Sequence, residues 1–165
     1  LKLHSHNSLF GNKNFALNEL TVHKKDTSSM ITIHTWLDGS FFNSYWADGL
    51  IISTPTGTTA YSLSCGGPIV LPRAGNFLIT PIAPHNLNVR PVVVSNNSVI
   101  KLRVEGRSAD ESFLVSLDSR SETIDSSIEL TVSKNDFEIN ILRLQDYSYL
   151  NTIRNKLNWG VDKRN

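Results

Sequence analysis

Apolar and polar residues alternate with period two along most of the chain, the pattern of strands that bury one face. Phe15–His23 (FALNELTVH) is the first such run. Met30–Leu37 and Ser40–Trp46 flank Asp38-Gly39, a dipeptide suited to a two-residue hairpin. Gly49–Thr54 is a short, continuously apolar strand. Pro91–Ser95, Val99–Gly106 and Ser112–Asp118 follow, and then Ser127–Ser133 and Phe137–Leu144 on either side of a turn at Lys134–Asp136. Short strands punctuated by turn residues predict a mostly β domain, a layered antiparallel β-sandwich-like architecture. Two segments depart from the alternation. Thr58–Ser64 reads as a short helix launched from a Thr/Gly turn. Tyr147, Leu150, Ile153 and Leu157 are helically spaced, predicting a C-terminal helix that stops at Gly160.

The remaining bulk properties narrow the class. With 165 residues, 39% hydrophobic and 19% charged, the chain fits one ordinary globular domain with a real core. No apolar run reaches the ~20 residues that span a bilayer, and the first residues, LKLHSHNSLFGNKN, carry no apolar signal core. The start without Met suggests a piece of a longer protein. Net charge is +1 with both signs interspersed, which gives no electrostatic case for nucleic acid or an anionic membrane. Cys65 is the only cysteine, so no internal disulfide forms and a cytoplasmic location is expected. The five histidines lack the spacing of a metal motif and are read as structural or solvated.

The chemistry concentrates in DGLIISTPTGTTAYSLSCGGP, Asp48–Pro68. A strand entering a helix through Pro and Gly exposes backbone N–H groups that attract anions. Gly57 permits close approach of a ligand, Thr54, Thr56, Thr58 and Thr59 offer hydroxyls, and Tyr61 offers an aromatic face. The same pattern also fits a capped strand-to-helix connection with Thr as the cap. It is neither a Walker A loop nor a dinucleotide-binding glycine fingerprint.

Three blocks in order, ALNE (Ala16–Glu19), Asp48–Pro68 and ITPIAPHNLNVRPVV (Ile79–Val93), resemble the NAD kinase family across nearly the whole chain. The resemblance implies that residues 1–165 form that family's C-terminal domain, which binds NAD and oligomerises. It implies that Asn18 and Glu19 bind ribose hydroxyls and the adenine side of the dinucleotide, and that Asp48 reaches the nicotinamide half, from a neighbouring subunit. Thr56, Thr59, Ala60, Tyr61, Ser62, Leu63 and Ser64 line the pocket for adenine and phosphates, and Ala83 packs on the ligand. The partners implied are NAD, ATP, a divalent metal such as Mg2+ on the donor phosphates, and further copies of the chain in a dimer or tetramer.

Departures from the family pattern matter as well. Trp46 stands where a basic residue is common, and Asp118–Glu122 (DSRSE) replaces an Asp-Gly-Gln turn, so Arg120 is given no ligand role. The family's Gly-Gly-Asp-Gly-Thr loop, whose Asp is the expected general base, does not occur in these residues. No catalytic residue is therefore assigned here, and the 165 residues alone are expected to lack kinase activity. The alternatives weighed are a non-catalytic nucleotide-binding or assembly module and a fold-related lipid kinase.

Overall fold

A computed structural model of the chain describes residues 1–25, 29–108, 111–142 and 148–159. The strands are β1 (Lys2–Ser5), β2 (Glu19–Lys24), β3 (Ile31–Leu37), β4 (Ser40–Ala47), β5 (Gly49–Ser53), β6 (Asn76–Ile82) and β7 (Val92–Ser95). They continue with β8 (Ile100–Glu105), β9 (Ser112–Leu117), β10 (Arg120–Asp125) and β11 (Glu129–Ser133). Two helical segments are α1 (Tyr61–Ser64) and α2 (Tyr149–Leu157). One sheet has the order β1-β11-β8-β3-β4 and the other β10-β9-β2-β5-β6-β7, with antiparallel pairing throughout. Among the described residues no helix is long and apolar enough to cross a membrane.

The alternation read in the sequence is what joins the layers. Leu20 and Val22 of β2 lie opposite Ile52 and Leu50 of β5, and all four are fully buried. They share one core with Ile33, Leu102, Val104, Val115, Leu117, Leu130 and Val132. Burying a Leu, Ile or Val side chain stabilises by about 1.5–3 kcal/mol, so the apolar phase of each strand decides which face turns inward.

Local chemistry sets the joints. Asp38 and Gly39 take φ of 50° and 82°, as a tight hairpin between β3 and β4 requires. The Asp38 carboxylate also accepts the Val99 N–H at 2.8 Å, tying that turn to the start of β8. Between β4 and β5 a single residue, Asp48, carries the chain from one sheet to the other. Its N–H donates to the Ile82 carbonyl and its own carbonyl accepts the Lys24 N–H.

The structure corrects several boundaries. Phe15–Asn18 is not strand; Phe15 makes only an isolated bridge to Lys2, and β2 begins at Glu19. Phe137–Leu142 pairs with no strand, and the apolar side chains of Phe137, Ile139 and Ile141 stay exposed, so alternation there finds no sheet edge to join. Leu144 of that predicted strand lies outside the described residues. The predicted helix at Thr58–Ser64 is a 3-10 turn over Thr56–Thr59 followed by the single turn of α1, because Ala60 takes a non-helical backbone between them. Helix α2 is capped by the Ser148 hydroxyl and ends on Asn158 in the left-handed region, with Trp159 N–H bonded to the Arg154 carbonyl. Tyr147 and the predicted stop at Gly160 lie outside the described residues. Ile153 is its buried anchor, whereas Leu150 is exposed.

Candidate functional site

At the end of β5 the chain leaves the sheet and folds back over its outer face. Thr54 N–H donates to the Asn18 carbonyl at 2.8 Å, and the Thr54 hydroxyl donates to the Leu17 carbonyl at 2.6 Å. The same hydroxyl accepts the Gly57 N–H at 3.2 Å. Gly57 itself lies against Asn18: a Cβ placed on it would sit 2.5 Å from the Asn18 carbonyl carbon. Glycine is therefore dictated by close approach rather than by dihedral freedom. The bend and the Asn18–Glu19 pair form one unit.

The hydroxyls divide into two groups. Thr58 is fully buried, donating to the Pro55 carbonyl at 2.7 Å and accepting the Val70 N–H at 3.1 Å, so it holds the bend closed. Ser62 is also fully buried and shares a 2.8 Å hydrogen bond with Thr80 of β6, which seats α1 on the sheet. Its side chain faces inward. Thr59 and Ser64 are exposed, and Thr56, Ala60 and Leu63 are half-buried. Gly67 returns over Ser62, with its N–H on the Ser62 carbonyl and no room for a side chain.

Glu19 is the electrostatic centre. Burial foremost, and then the Asp118 charge, push its carboxyl above the usual carboxylate range, while the Tyr61 backbone N–H opposes the rise. Its Oε2 atom is buried and has no hydrogen-bond partner among the described residues. Ser53, opposite Glu19 in the β2–β5 register and so on the same face, also has a buried hydroxyl without a partner there. Buried polar atoms are normally satisfied, and exceptions ask for an explanation such as a ligand. Burial raises the Tyr61 phenol above its usual range, and Cys65, Asp48 and Glu19 add to the rise. The half-buried Cys65 thiol is raised by burial and then by Glu19. Glu19, Tyr61, Cys65 and Asp48 thus share one electrostatic neighbourhood.

Asp48 closes the far side. Its carboxylate pairs with Lys24 Nζ at 2.6 Å, with both side chains partly buried. Ala83 directly follows Ile82, whose carbonyl accepts the Asp48 N–H, and it occupies a left-handed φ of 45°. Such a backbone is uncommon for a residue other than glycine and clusters at functional sites. Beyond it the His85 ring lies tilted against Trp46, ring centres 4.2 Å apart, and the His85 backbone N–H donates to the Trp46 carbonyl. On the other flank of the bend a cleft of about 780 Å³ is lined by Leu17, Thr54, Thr56, Arg73, Asn76 and Asp118 among others.

Thr54 and Gly57, read in the sequence as a hydroxyl and a close approach for a ligand, instead fix Asn18. The sequence reading gave no role to Lys24, which engages Asp48, or to Asp118, which accepts the N–H groups of Leu17, Asn18 and Glu19. The signal that pointed at Asp118 was its place at the head of the DSRSE turn, Asp118–Glu122, which stands where the family has Asp-Gly-Gln. Three of the five histidines engage nearby groups: His4 bonds Ser133, His23 bonds the Lys24 carbonyl, and His34 bonds Ser44 and lies at ion-pair distance from Glu105. Among the described residues no group of three or more His, Cys, Asp or Glu is placed to hold a metal ion.

Comparison with known proteins matches residues 17–144 to the ATP-NAD kinase C-terminal domain. The NAD kinase of Cytophaga hutchinsonii is 58% identical over all 165 residues, which cover 56% of that relative. That of Bacteroides fragilis is 47% identical over 153 residues, 93% of this chain and 52% of the relative. The chain thus spans about half the length of the curated relatives it matches. Among solved structures, yeast NADH kinase complexed with NADH superposes with a TM-score of 0.79 at 26% identity, covering 89% of this chain and 45% of the other. An Archaeoglobus fulgidus NAD kinase in complex with ATP gives 0.70 at 30% identity, covering 82% of this chain and 51% of the other.

Proposed function

The chain belongs to the ATP-NAD kinase family, matching its C-terminal domain, and from that premise we propose that residues 1–165 form the NAD-binding and oligomerising domain of an NAD kinase. The intact enzyme transfers the terminal phosphoryl group of ATP to the adenosine 2′-hydroxyl of NAD, giving NADP and ADP. In this reading the Glu19 carboxylate and the Asn18 carboxamide receive ribose hydroxyls, which are good partners for an acceptor-only carboxylate. Tyr61 lays its ring against the base. Thr56, Thr59, Ala60 and Ser64 line the pocket, with Ser62 and Leu63 contributing backbone. Asp48 meets the nicotinamide half and Ala83 its methyl contact.

The observation that carries this reading is the unpartnered Oε2 of Glu19, buried beside Tyr61 and on the strand end gripped by the threonine-rich bend. Ribose diol protons would satisfy it. These residues bind and orient; the group that takes the 2′-hydroxyl proton is assigned to the family's Gly-Gly-Asp-Gly-Thr loop, which these residues do not contain. A divalent metal in the intact enzyme would sit on the ATP phosphates, where it would neutralise their charge; among the described residues no His, Cys, Asp or Glu cluster is placed to hold one. The same reading places the protein in the cytoplasm as a dimer or tetramer. The edge strand β4, with Phe41, Phe42 and Trp46 exposed, supports self-association.

The test is calorimetric titration of the full-length protein with NAD, alongside an assay for ATP-dependent NADP formation. Both signals are expected for the wild type, and Glu19→Ala is expected to lose most NAD affinity while remaining folded. Wild-type protein that ignores NAD, or Glu19→Ala that binds it equally well, overturns the proposal.

A further inference from the structure

The Asn18–Glu19 pair is not held by its own strand alone. Strand β9 ends at Leu117, and the chain turns through Asp118 and Ser119 into β10. Asp118 adopts a left-handed φ of 52°, and its carboxylate reaches the entry to β2. Its Oδ2 accepts the Leu17 N–H at 2.9 Å, while Oδ1 accepts the N–H of Asn18 at 2.8 Å and of Glu19 at 3.1 Å. The Asp118 N–H returns a bond to the Glu19 carbonyl at 3.1 Å. Three successive amides converging on one carboxylate make a nest filled by an internal anion. From the opposite side Thr54 holds the Leu17 and Asn18 carbonyls. Arg120, beside this turn, donates to the Lys13 and Phe15 carbonyls and lies over the Phe15 ring.

We infer that Asp118 is a positioning residue for dinucleotide binding, fixing the backbone from Leu17 to Glu19 so that the Asn18 and Glu19 side chains meet the ribose together. The inference rests on the NAD-binding reading above. Asp118 acts through its neighbours, and its charge reaches Glu19 as well as its hydrogen bonds. Groups facing Glu19 are Asp118 from the β9–β10 turn and Tyr61 and Cys65 from the α1 segment. Replacing Asp118 by Asn keeps the size, removes the charge and leaves one acceptor oxygen for three amides.

The experiment measures NAD affinity of the full-length protein by calorimetry as a function of pH, for wild type, Asp118→Asn, Glu19→Gln and the double variant. Wild-type affinity is expected to fall on the acid side as Glu19 takes a proton. Asp118→Asn is expected to weaken binding about tenfold at neutral pH and to move that acid limb to lower pH. Glu19→Gln flattens the limb, and adding Asp118→Asn then moves nothing. An Asp118→Asn protein with wild-type affinity, or with weakened affinity and an unmoved limb, overturns the inference. Wild-type protein that does not bind NAD defeats the underlying reading instead, and this inference with it. Should Asp118→Asn not fold, hydrogen exchange on the wild type decides. Protected Leu17, Asn18 and Glu19 amides that slow further with NAD support the clamp, and amides exchanging at solvent rates or unaffected by NAD overturn it.

Discussion

Replacing Gly57 with alanine tests whether the threonine-rich bend and the Asn18–Glu19 pair work as one unit. Its φ lies outside the left-handed region, so alanine meets no conformational penalty there. On chain entropy alone the change would stabilise by about 0.4–1 kcal/mol. The added methyl would instead lie 2.5 Å from the Asn18 carbonyl carbon and 2.8 Å from its Cα. Ordinary carbon contacts need about 3.5 Å, so the bend must retreat by roughly 1 Å. That retreat stretches the 2.8 Å bond from Thr54 N–H to the Asn18 carbonyl. Overpacking of this kind costs about 1–3 kcal/mol, a loss of about 2–4 °C in melting temperature for each kcal/mol in a chain of this size. A displacement near 1 Å at a binding constellation can cost about a hundredfold in function. The assay pairs thermal unfolding with NAD titration, using Gly39→Ala as a control. Gly39 has open space and a φ of 82°, so alanine there costs about 1 kcal/mol of backbone strain and leaves NAD affinity alone. A Gly57→Ala protein with unchanged melting temperature and affinity would refute the coupling.

Three further expectations follow from particular contacts. Ser62→Ala or Thr80→Val alone leaves the other buried hydroxyl without its 2.8 Å partner and should cost about 1–3 kcal/mol in urea unfolding, whereas the double variant should cost less than the two summed. Because folding raises the Glu19 carboxyl, the folded state binds more protons than the unfolded one in the window between the two pKa values, and this group's contribution to stability falls as pH rises through it. Glu19→Gln should therefore raise the melting temperature at neutral pH, with the gain vanishing below the ordinary glutamate range, even as NAD binding weakens. Ile153→Ala removes the buried anchor of α2 and should cost about 2–5 kcal/mol, read by denaturation and by loss of helical circular dichroism.

Strands whose alternation was regular and whose inward residues were large were legible in the sequence. Ile31–Leu37, Ile100–Glu105 and Ser112–Leu117 fall within a residue of their expected limits. Asn76–Ile82 went unread as a strand because it is buried along nearly its whole length, with Pro81 inside it, so no alternation marks it. Arg120–Asp125 is an edge strand with Ile124 as its one buried residue, too polar to announce itself. Phe137–Leu142 alternates well yet pairs with nothing, since a pattern states which face is apolar and not whether a partner edge exists. The site shows the same divide. Asn18, Glu19, Tyr61 and the Thr-Pro-Thr-Gly run were visible as a motif. Asp118 lies about a hundred residues away along the chain, and only antiparallel pairing of β2 with β9 brings it to Asn18.

The passage from Ala47 through Asp48 to Gly49 has an evolutionary corollary. Side chains switch faces at every step along a strand, so inserting or deleting one amino acid at this crossing would invert either Tyr45 and Ala47 or Leu50 and Ile52 relative to the interior they now fill. No substitution at Asp48 has that reach. Relatives should therefore conserve the number of positions at the crossing more strictly than the identity of the residue placed there, although the Lys24 pairing restrains that identity too.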